Sequence, residues 1–329
     1  MKNFARIGLL LLFLTAAGCG INQEVENPDQ KVDQIRLPMG YIPNVQYAPF
    51  YVADKLGFFA EENLDLEFDY SYETDGVALV GANELSFSIV SGEQVPIARA
   101  EGLPIVYVMA WYDRYPVAVI AKTEQGITIP EKLEGKSVGL PGLFGANYVG
   151  LRALLGEVGL QESDLRLDSI GFNQVEVLAT DADQAVVGYL ANEPIQLQAQ
   201  GYEIDVIAVA DYVDLVSNGL LTNQKTIEEN PELVRRMVSA VIKGIQYTVE
   251  NPEEAYEVCF DYVDGLENAD QDVQMAVLET SISLYQTDPY GYSDQEAWEN
   301  MQDVLLTMGL MKEEINLESV YSNEFIPQQ

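Results

Sequence analysis

The chain has 329 residues, which is long for one core and fits two lobes of ordinary domain size. Its 53 acidic against 17 basic residues give a formal charge of -36, a field that repels nucleic acid and anionic lipid surfaces. Histidine is absent and Cys19 and Cys259 are the only cysteines, which removes His triads, His general bases and Cys- or His-built metal centres.

The first elements concern export. Lys2 and Arg6 precede an unbroken apolar run over residues 7–14, too short to span a bilayer. Leu14-Thr15-Ala16-Ala17-Gly18-Cys19 follows, with small residues that let a peptidase reach the backbone. The pattern resembles a bacterial lipobox, although Ala16 stands where Leu is commoner. The resemblance implies a signal peptide over residues 1–18, cleavage before Cys19 and acylation of that cysteine. The competing reading is an ordinary secretory signal cut nearby. Residues 19–34 are polar and aperiodic, as a flexible tether would be.

Strands are predicted at 35–39, 64–70, 85–90, 105–111 and 117–122, with helices at 48–59, 74–82 and 94–100 between them. This βαβ rhythm predicts an α/β fold with mostly parallel strands. It breaks over residues 123–135, at polar residues, Pro130 and two glycines, and then restarts. Strands are predicted at 137–140, 165–171, 183–187 and 206–209, with a helix at 147–156. Helices are predicted at 231–250, 253–263, 270–284 and 294–308. Asn230-Pro231 and Asn251-Pro252 each place proline at the first helical position behind an Asn cap. The expected organisation is lobe 1 from residues 35–122 and 215–329, with lobe 2, residues 123–214, inserted. Cys259, inside an apolar stretch, reads as a buried core residue.

Candidate binding residues lie in loops after strands, where open α/β sheets place ligands. The loop after the first strand offers Tyr41, Asn44, Gln46 and Tyr47, able to stack on and hydrogen-bond a flat heterocycle. Turn chemistry explains part of the same pattern. Ser91, Glu93 and Gln94 open the helix at 94–100, where Ser91 caps it or Glu93 and Gln94 face the cleft. Trp111 and Tyr112 sit where the chain prepares to cross between lobes, as a stacking platform or as hinge packing. The segment Pro141-Gly142-Leu143-Phe144-Gly145-Ala146-Asn147-Tyr148 is neither a Walker P-loop nor a Rossmann fingerprint, so triphosphate chemistry is not expected. Phe144, Asn147 and Tyr148 are its candidates, against the alternative of a tight strand–helix turn. Asn173 follows the 165–171 strand. Asn192 and Glu193 would form an opposing wall, or a solvated turn.

Gly40-Tyr41-Ile42-Pro43-Asn44, Phe50-Tyr51-Val52-Ala53, Leu56-Gly57-Phe58-Phe59 and Glu62-Asn63-Leu64-Asp65-Leu66 together resemble the opening of the thiamine-precursor and sulfonate-binding superfamily of ABC-importer proteins. The segment from Asp183 to Pro194 resembles the lobe-two strand and turn of its pyrimidine-binding members. Tyr72-Glu73-Thr74-Asp75, Ser91 to Gln94, Trp111-Tyr112 and Gly142 to Tyr148 look more like the riboflavin-binding branch than the formylaminopyrimidine branch. The resemblance implies a type II periplasmic-binding fold: two α/β lobes, a hinge, a ligand cleft between them and a helical C-terminal tail. It implies capture of riboflavin, or of a thiamine pyrimidine precursor, by a protein that closes like a clam and docks on an ABC permease with its ATPase. No catalysis, cofactor, metal or nucleic-acid partner is expected, and the chain would be a monomer held at the membrane by Cys19. The rival classes are a ligand sensor and a pyrimidine-synthase-like enzyme. In the family that enzyme uses a histidine as a substrate source, and this chain has none.

Overall fold

Pro38 shapes the first sheet. It sits in β1 (Asp33–Gly40), presents its carbonyl to the Ser88 hydroxyl at 3.4 Å, and has no N–H to offer on that side. β1 therefore pairs in parallel with β2 (Leu64–Tyr72) on one flank but only runs beside β3 (Ser88–Val90) on the other. The computed structural model describes residues 31–285 and 289–328, and the elements below lie in the unit Val32–Gln329. The expected signal peptide, Cys19 and most of the expected tether lie outside the described residues.

Between β1 and β2 run α1 (Ala48–Lys55) and α2 (Phe58–Glu61). One helix was expected over 48–59. Gly57 divides it, at φ 82, a backbone region that glycine enters without steric cost. Next come α3 (Glu73–Gly81), α4 (Gln94–Ala100) and β4 (Ile105–Ala110). The chain then crosses to lobe 2 through residues 111–116. Lobe 2 holds β5 (Val117–Lys122), β6 (Ser137–Leu140), α5 (Gly145–Glu157), β7 (Arg166–Ser169), α6 (Gln174–Ala179), β8 (Ala185–Tyr189), α7 (Glu193–Ala199) and β9 (Ile204–Ala208). It returns through β10 (Gly219–Asn223) and α8 (Gln224–Glu229).

The two lobes share a plan. Lobe 2 runs β7-β6-β8-β5-β9, with β5 antiparallel to both neighbours. Lobe 1 has β3-β10-β4, with β10 antiparallel to both neighbours and the β1–β2 pair alongside. In each lobe the antiparallel strand is the one that has just crossed over. This corrects the expected boundary: β5 lies inside the lobe 2 sheet, so that lobe starts before residue 123. The expectation of mostly parallel strands holds apart from the crossing strand of each lobe, and β10 was not anticipated.

The helical tail comprises α9 (Pro231–Glu250), α10 (Pro252–Cys259), α11 (Gln271–Leu284) and α12 (Gln295–Thr307). Asn230 caps α9 as expected, its side chain accepting from the Leu233 N–H at 3.2 Å. Asn251 does not cap α10 with its side chain, which instead donates to the Tyr247 carbonyl at 3.1 Å. The tail was assigned to lobe 1, and α9 does pack on α1. α11 and α12 also touch α7 and α5 of lobe 2. Cys259 is buried in the core of α10, and burial pushes its thiol up to about 12, so it stays protonated and unreactive. Among the described residues no helix is long and apolar enough to cross a membrane.

Candidate functional site

The cleft lies beyond the carboxyl ends of the strands of both lobes, with a cavity volume of about 220 Å³. Its lobe 1 wall starts in the loop after β1. Asn44 accepts from the Gln46 N–H at 3.0 Å and so caps the single 3-10 turn Val45–Tyr47. That turn points Gln46 and Tyr47 into the cleft. The Tyr47 hydroxyl donates to the Met39 carbonyl at 2.7 Å, which fixes its ring.

Tyr47 begins a column of rings. It stacks on Trp111 at 5.1 Å and 20°, Trp111 stacks on Tyr112 at 4.4 Å and 20°, and Tyr112 lies over Tyr285 at 5.9 Å and 9°. Phe50 meets Trp111 edge-on. The crossing segment holds the column in place: the Trp111 and Tyr112 N–H groups both donate to the Asn218 carbonyl, at 2.8 and 3.0 Å. The Trp111 Nε1 hydrogen is buried and has no acceptor among the described residues.

Carboxylates back this wall. Glu73, at the start of α3, lines the cleft and accepts from the N–H and the hydroxyl of Ser91, the latter at 2.7 Å. Glu93 is fully buried behind the lining, held by the Gln94 side-chain amide at 3.2 Å. Burial, and then the charge of Glu73, push the Glu93 carboxyl up to about 8. It therefore carries its proton at neutral pH.

Three loops build the lobe 2 wall. After β6, Pro141, Phe144, Gly145, Ala146 and Asn147 line the cavity, and the Tyr115 hydroxyl pins this loop by donating to the Ala146 carbonyl at 2.8 Å. Asn147 Oδ1 is buried without a donor among the described residues. After β7, Phe172 and Gln174 line the cavity. After β8 come Tyr189, Asn192 and Glu193. Glu193 accepts from the Tyr189 N–H at 2.7 Å and from the Asn192 amide at 3.3 Å, yet burial still lifts its carboxyl to about 7.

The lobes touch across the mouth. Tyr41 meets Phe172 edge-to-face at 5.6 Å, and the Gln46 amide donates to the Ala191 carbonyl at 3.4 Å. Phe144 and Phe172 are 75% and 69% exposed, unusual for rings of that size unless a ligand or partner covers them.

The structure thus brings together Tyr41, Gln46, Tyr47, Ser91, Gln94, Trp111, Tyr112, Phe144, Asn147, Asn192 and Glu193. Four expected residues do not line the cavity. Asn44 caps its turn, and Glu93 lies behind Gln94. Tyr148 is buried and points away from the cavity, its hydroxyl donating to Glu162 at 2.6 Å and accepting from Arg152 at 3.0 Å. Asn173 is exposed and donates to the Ile170 carbonyl at 2.8 Å. The sequence reading missed Glu73, Phe172, Gln174, Tyr189 and Asn218 as lining residues. Glu73 lay in a stretch singled out for its resemblance, and Phe172 and Gln174 flank Asn173. Nothing in the sequence marks Asn218 beyond its place before Gly219.

The fold is that of the two-lobed periplasmic binding proteins: the aliphatic sulphonate binding protein SsuA from Escherichia coli matches with a TM-score of 0.73 at 11% identity, over 90% of this chain and 99% of that one. Within that fold the chain belongs to the NMT1/THI5-like family, whose pattern matches residues 44–255. The riboflavin-binding protein RibY of Chloroflexus aurantiacus is 32% identical over 339 residues, covering 98% of this chain and 97% of its own. A formylaminopyrimidine-binding protein of Halalkalibacterium halodurans is 28% identical over 337 residues, covering 98% and 99%. Pyrimidine phosphate synthases also occur among the relatives, matching a smaller share of the chain.

Proposed function

We propose that this chain is the extracytoplasmic capture component of an ABC importer and that its cargo is a flavin, riboflavin. The observation that carries this reading is the ring column Tyr47–Trp111–Tyr112 at a cleft that also holds a buried N–H without an acceptor and a buried amide oxygen without a donor. An isoalloxazine has flat apolar faces and one edge where carbonyls flank an N–H. Trp111 Nε1 suits such a carbonyl, and Asn147 Oδ1 suits the N–H. Glu73, Gln94, Asn192 and Glu193 supply acceptors and donors for ribityl hydroxyls.

The cavity's charge supports the same reading. Its lining contains no Lys or Arg, so a phosphate or sulfonate would be desolvated without a cation beside it. The riboflavin-binding relative spans the whole chain, which agrees with this choice. Capture is favoured over synthesis because the chain has no histidine for the synthase reaction described above.

Closure of the lobes over the ligand would then present one shape to a permease and its ATPase. Cys19, acylated after export, would hold the monomer at the outer face of the cell membrane, since several acyl chains anchor where one does not. Mass spectrometry of the mature N-terminus tests that anchor: an acylated Cys19 is expected, and an unmodified N-terminus elsewhere would refute it. Fluorescence titration tests the cargo. Riboflavin emission should be quenched at one equivalent by stacking on the aromatic column. Unquenched riboflavin beside tight binding of formylaminopyrimidine would replace the flavin with the single-ring cargo.

A further inference from the structure

We propose that the aromatic residues beneath the cleft form a relay that carries an oxidising equivalent from a photoexcited flavin to the protein surface, protecting the cargo and Trp111 from light. This rests on the flavin reading above. Flavins do one-electron chemistry, and a blue-light-excited flavin is a strong oxidant of indoles and phenols close to it. Trp111 lines the cleft, so it is the first electron donor.

Two runs of oxidisable rings leave Trp111. One passes through Tyr112 to Tyr285, which is 2% exposed and whose hydroxyl has no partner among the described residues. Tyrosine is oxidised readily only when its phenol can lose a proton, and among the described residues that run offers no acceptor for one. The other passes from Trp111 to Tyr47 at 5.1 Å, to Tyr51 at 6.3 Å and to Tyr262 at 4.5 Å with the last two rings nearly parallel at 4°. The Tyr262 hydroxyl donates to the Asp54 carboxylate at 2.6 Å, and both residues are partly exposed. A carboxylate at that distance is a ready proton acceptor. The intermediate phenols have none: Tyr47 donates to the Met39 carbonyl, and Tyr51 shares a hydrogen bond with Tyr70 at 2.9 Å. Tyr47 and Tyr51 therefore serve as bridging rings, and the hole settles on Tyr262.

The electrons and protons balance in a closed cycle. The excited flavin takes one electron from Trp111, giving a flavin radical anion and a tryptophan radical cation. One electron then moves from Tyr262 to Trp111 through the rings of Tyr51 and Tyr47, which bridge the transfer without being oxidised themselves. In the last step the O–H bond of Tyr262 breaks and its proton goes to Asp54, leaving a neutral tyrosyl radical and a carboxylic acid. Return of the electron from the flavin anion to Tyr262, with the proton coming back from Asp54, restores every group.

The test uses the whole mature protein. Riboflavin affinity is first measured in the dark for the wild type, Tyr262→Phe and Asp54→Asn, and equal binding is expected because neither residue lines the cleft. A blue flash with transient absorption then follows the radicals. The wild type should form the flavin radical anion together with a persistent neutral tyrosyl signal. Both variants should lose the tyrosyl signal and recombine faster. Identical radical kinetics in the wild type and both variants, or no tyrosyl signal in the wild type, would overturn the relay while leaving the flavin reading intact. Failure of dark binding in the wild type would instead overturn the flavin reading, and the relay with it.

Discussion

Trp111 has two jobs that pull on the same side chain. Its ring is the middle of the stacked column, while its Nε1 hydrogen stays buried without an acceptor. Trp111→Phe keeps a ring and deletes the donor. Losing one hydrogen bond of ~0.5–1.5 kcal/mol should weaken riboflavin binding by roughly 2–10-fold, read by fluorescence titration. No change in Kd would remove Trp111 Nε1 from ligand recognition. Glu93 makes a second residue-level prediction. Its carboxyl rises from an ordinary 4.5 to about 8, so the folded chain holds this proton more tightly than the unfolded chain does. That contribution to stability is complete below about pH 4.5 and is lost as the pH climbs through about 8. Glu93→Gln, neutral at every pH, should flatten that fall by on the order of a few kcal/mol, read from urea midpoints at about pH 5 and about pH 9. An equal fall in the variant would mean the proton sits elsewhere. The errors in the site reading were also residue-sized. Asn147 lines the cleft while Tyr148 is buried away from it, and Gln174 lines it while Asn173 is exposed. Successive residues at a helix start turn through about 100°, so a motif names the loop and not the side chain that looks inward. Asn44 and Glu93 serve the site by placing Gln46 and backing Gln94.

Among the elements, those with a helical period or a clear apolar run were legible and β10 was not. α4, β5, β6 and α9 have the bounds that apolar runs, helical spacing and capping predict. β10 is short, buried along its whole length and ends in Thr222-Asn223, so it shows neither alternation nor a long apolar run. Yet β10 closes the lobe 1 sheet, and Asn218 just before it holds the Trp111 and Tyr112 backbone. Gly219 opens that strand against the Tyr107 ring and the Met109 carbonyl, with no room for a Cβ. Gly219→Ala should destabilise the fold by ~1–3 kcal/mol, the usual cost of overpacking, seen as a lower denaturation midpoint. An unchanged midpoint would mean the strand shifts freely, and with it the hinge.

The molecule as a whole is two lobes of one plan joined where their crossing strands begin. The crossing strands, β5 and β10, put both ends of the hinge beside the aromatic column, so ligand contact and lobe motion meet at Trp111 and Asn218. Across the mouth, Tyr41 and Phe172 form an interlobe ring pair. If closure retains the ligand, Phe172→Ala should raise the riboflavin off-rate by roughly 2–10-fold, the equivalent of a ~0.5–1.5 kcal/mol aromatic pair, with a smaller effect on the on-rate in stopped-flow fluorescence. An equal loss in the on-rate alone would place Phe172 in encounter and not in closure. The central claim, a flavin held between the lobes, is tested most directly by isothermal titration calorimetry of the mature chain. The account predicts one riboflavin per chain, a negative heat-capacity change from burying the ring faces, and weaker binding of both phosphorylated flavin and formylaminopyrimidine. Formylaminopyrimidine binding strongly with no heat from riboflavin would contradict it.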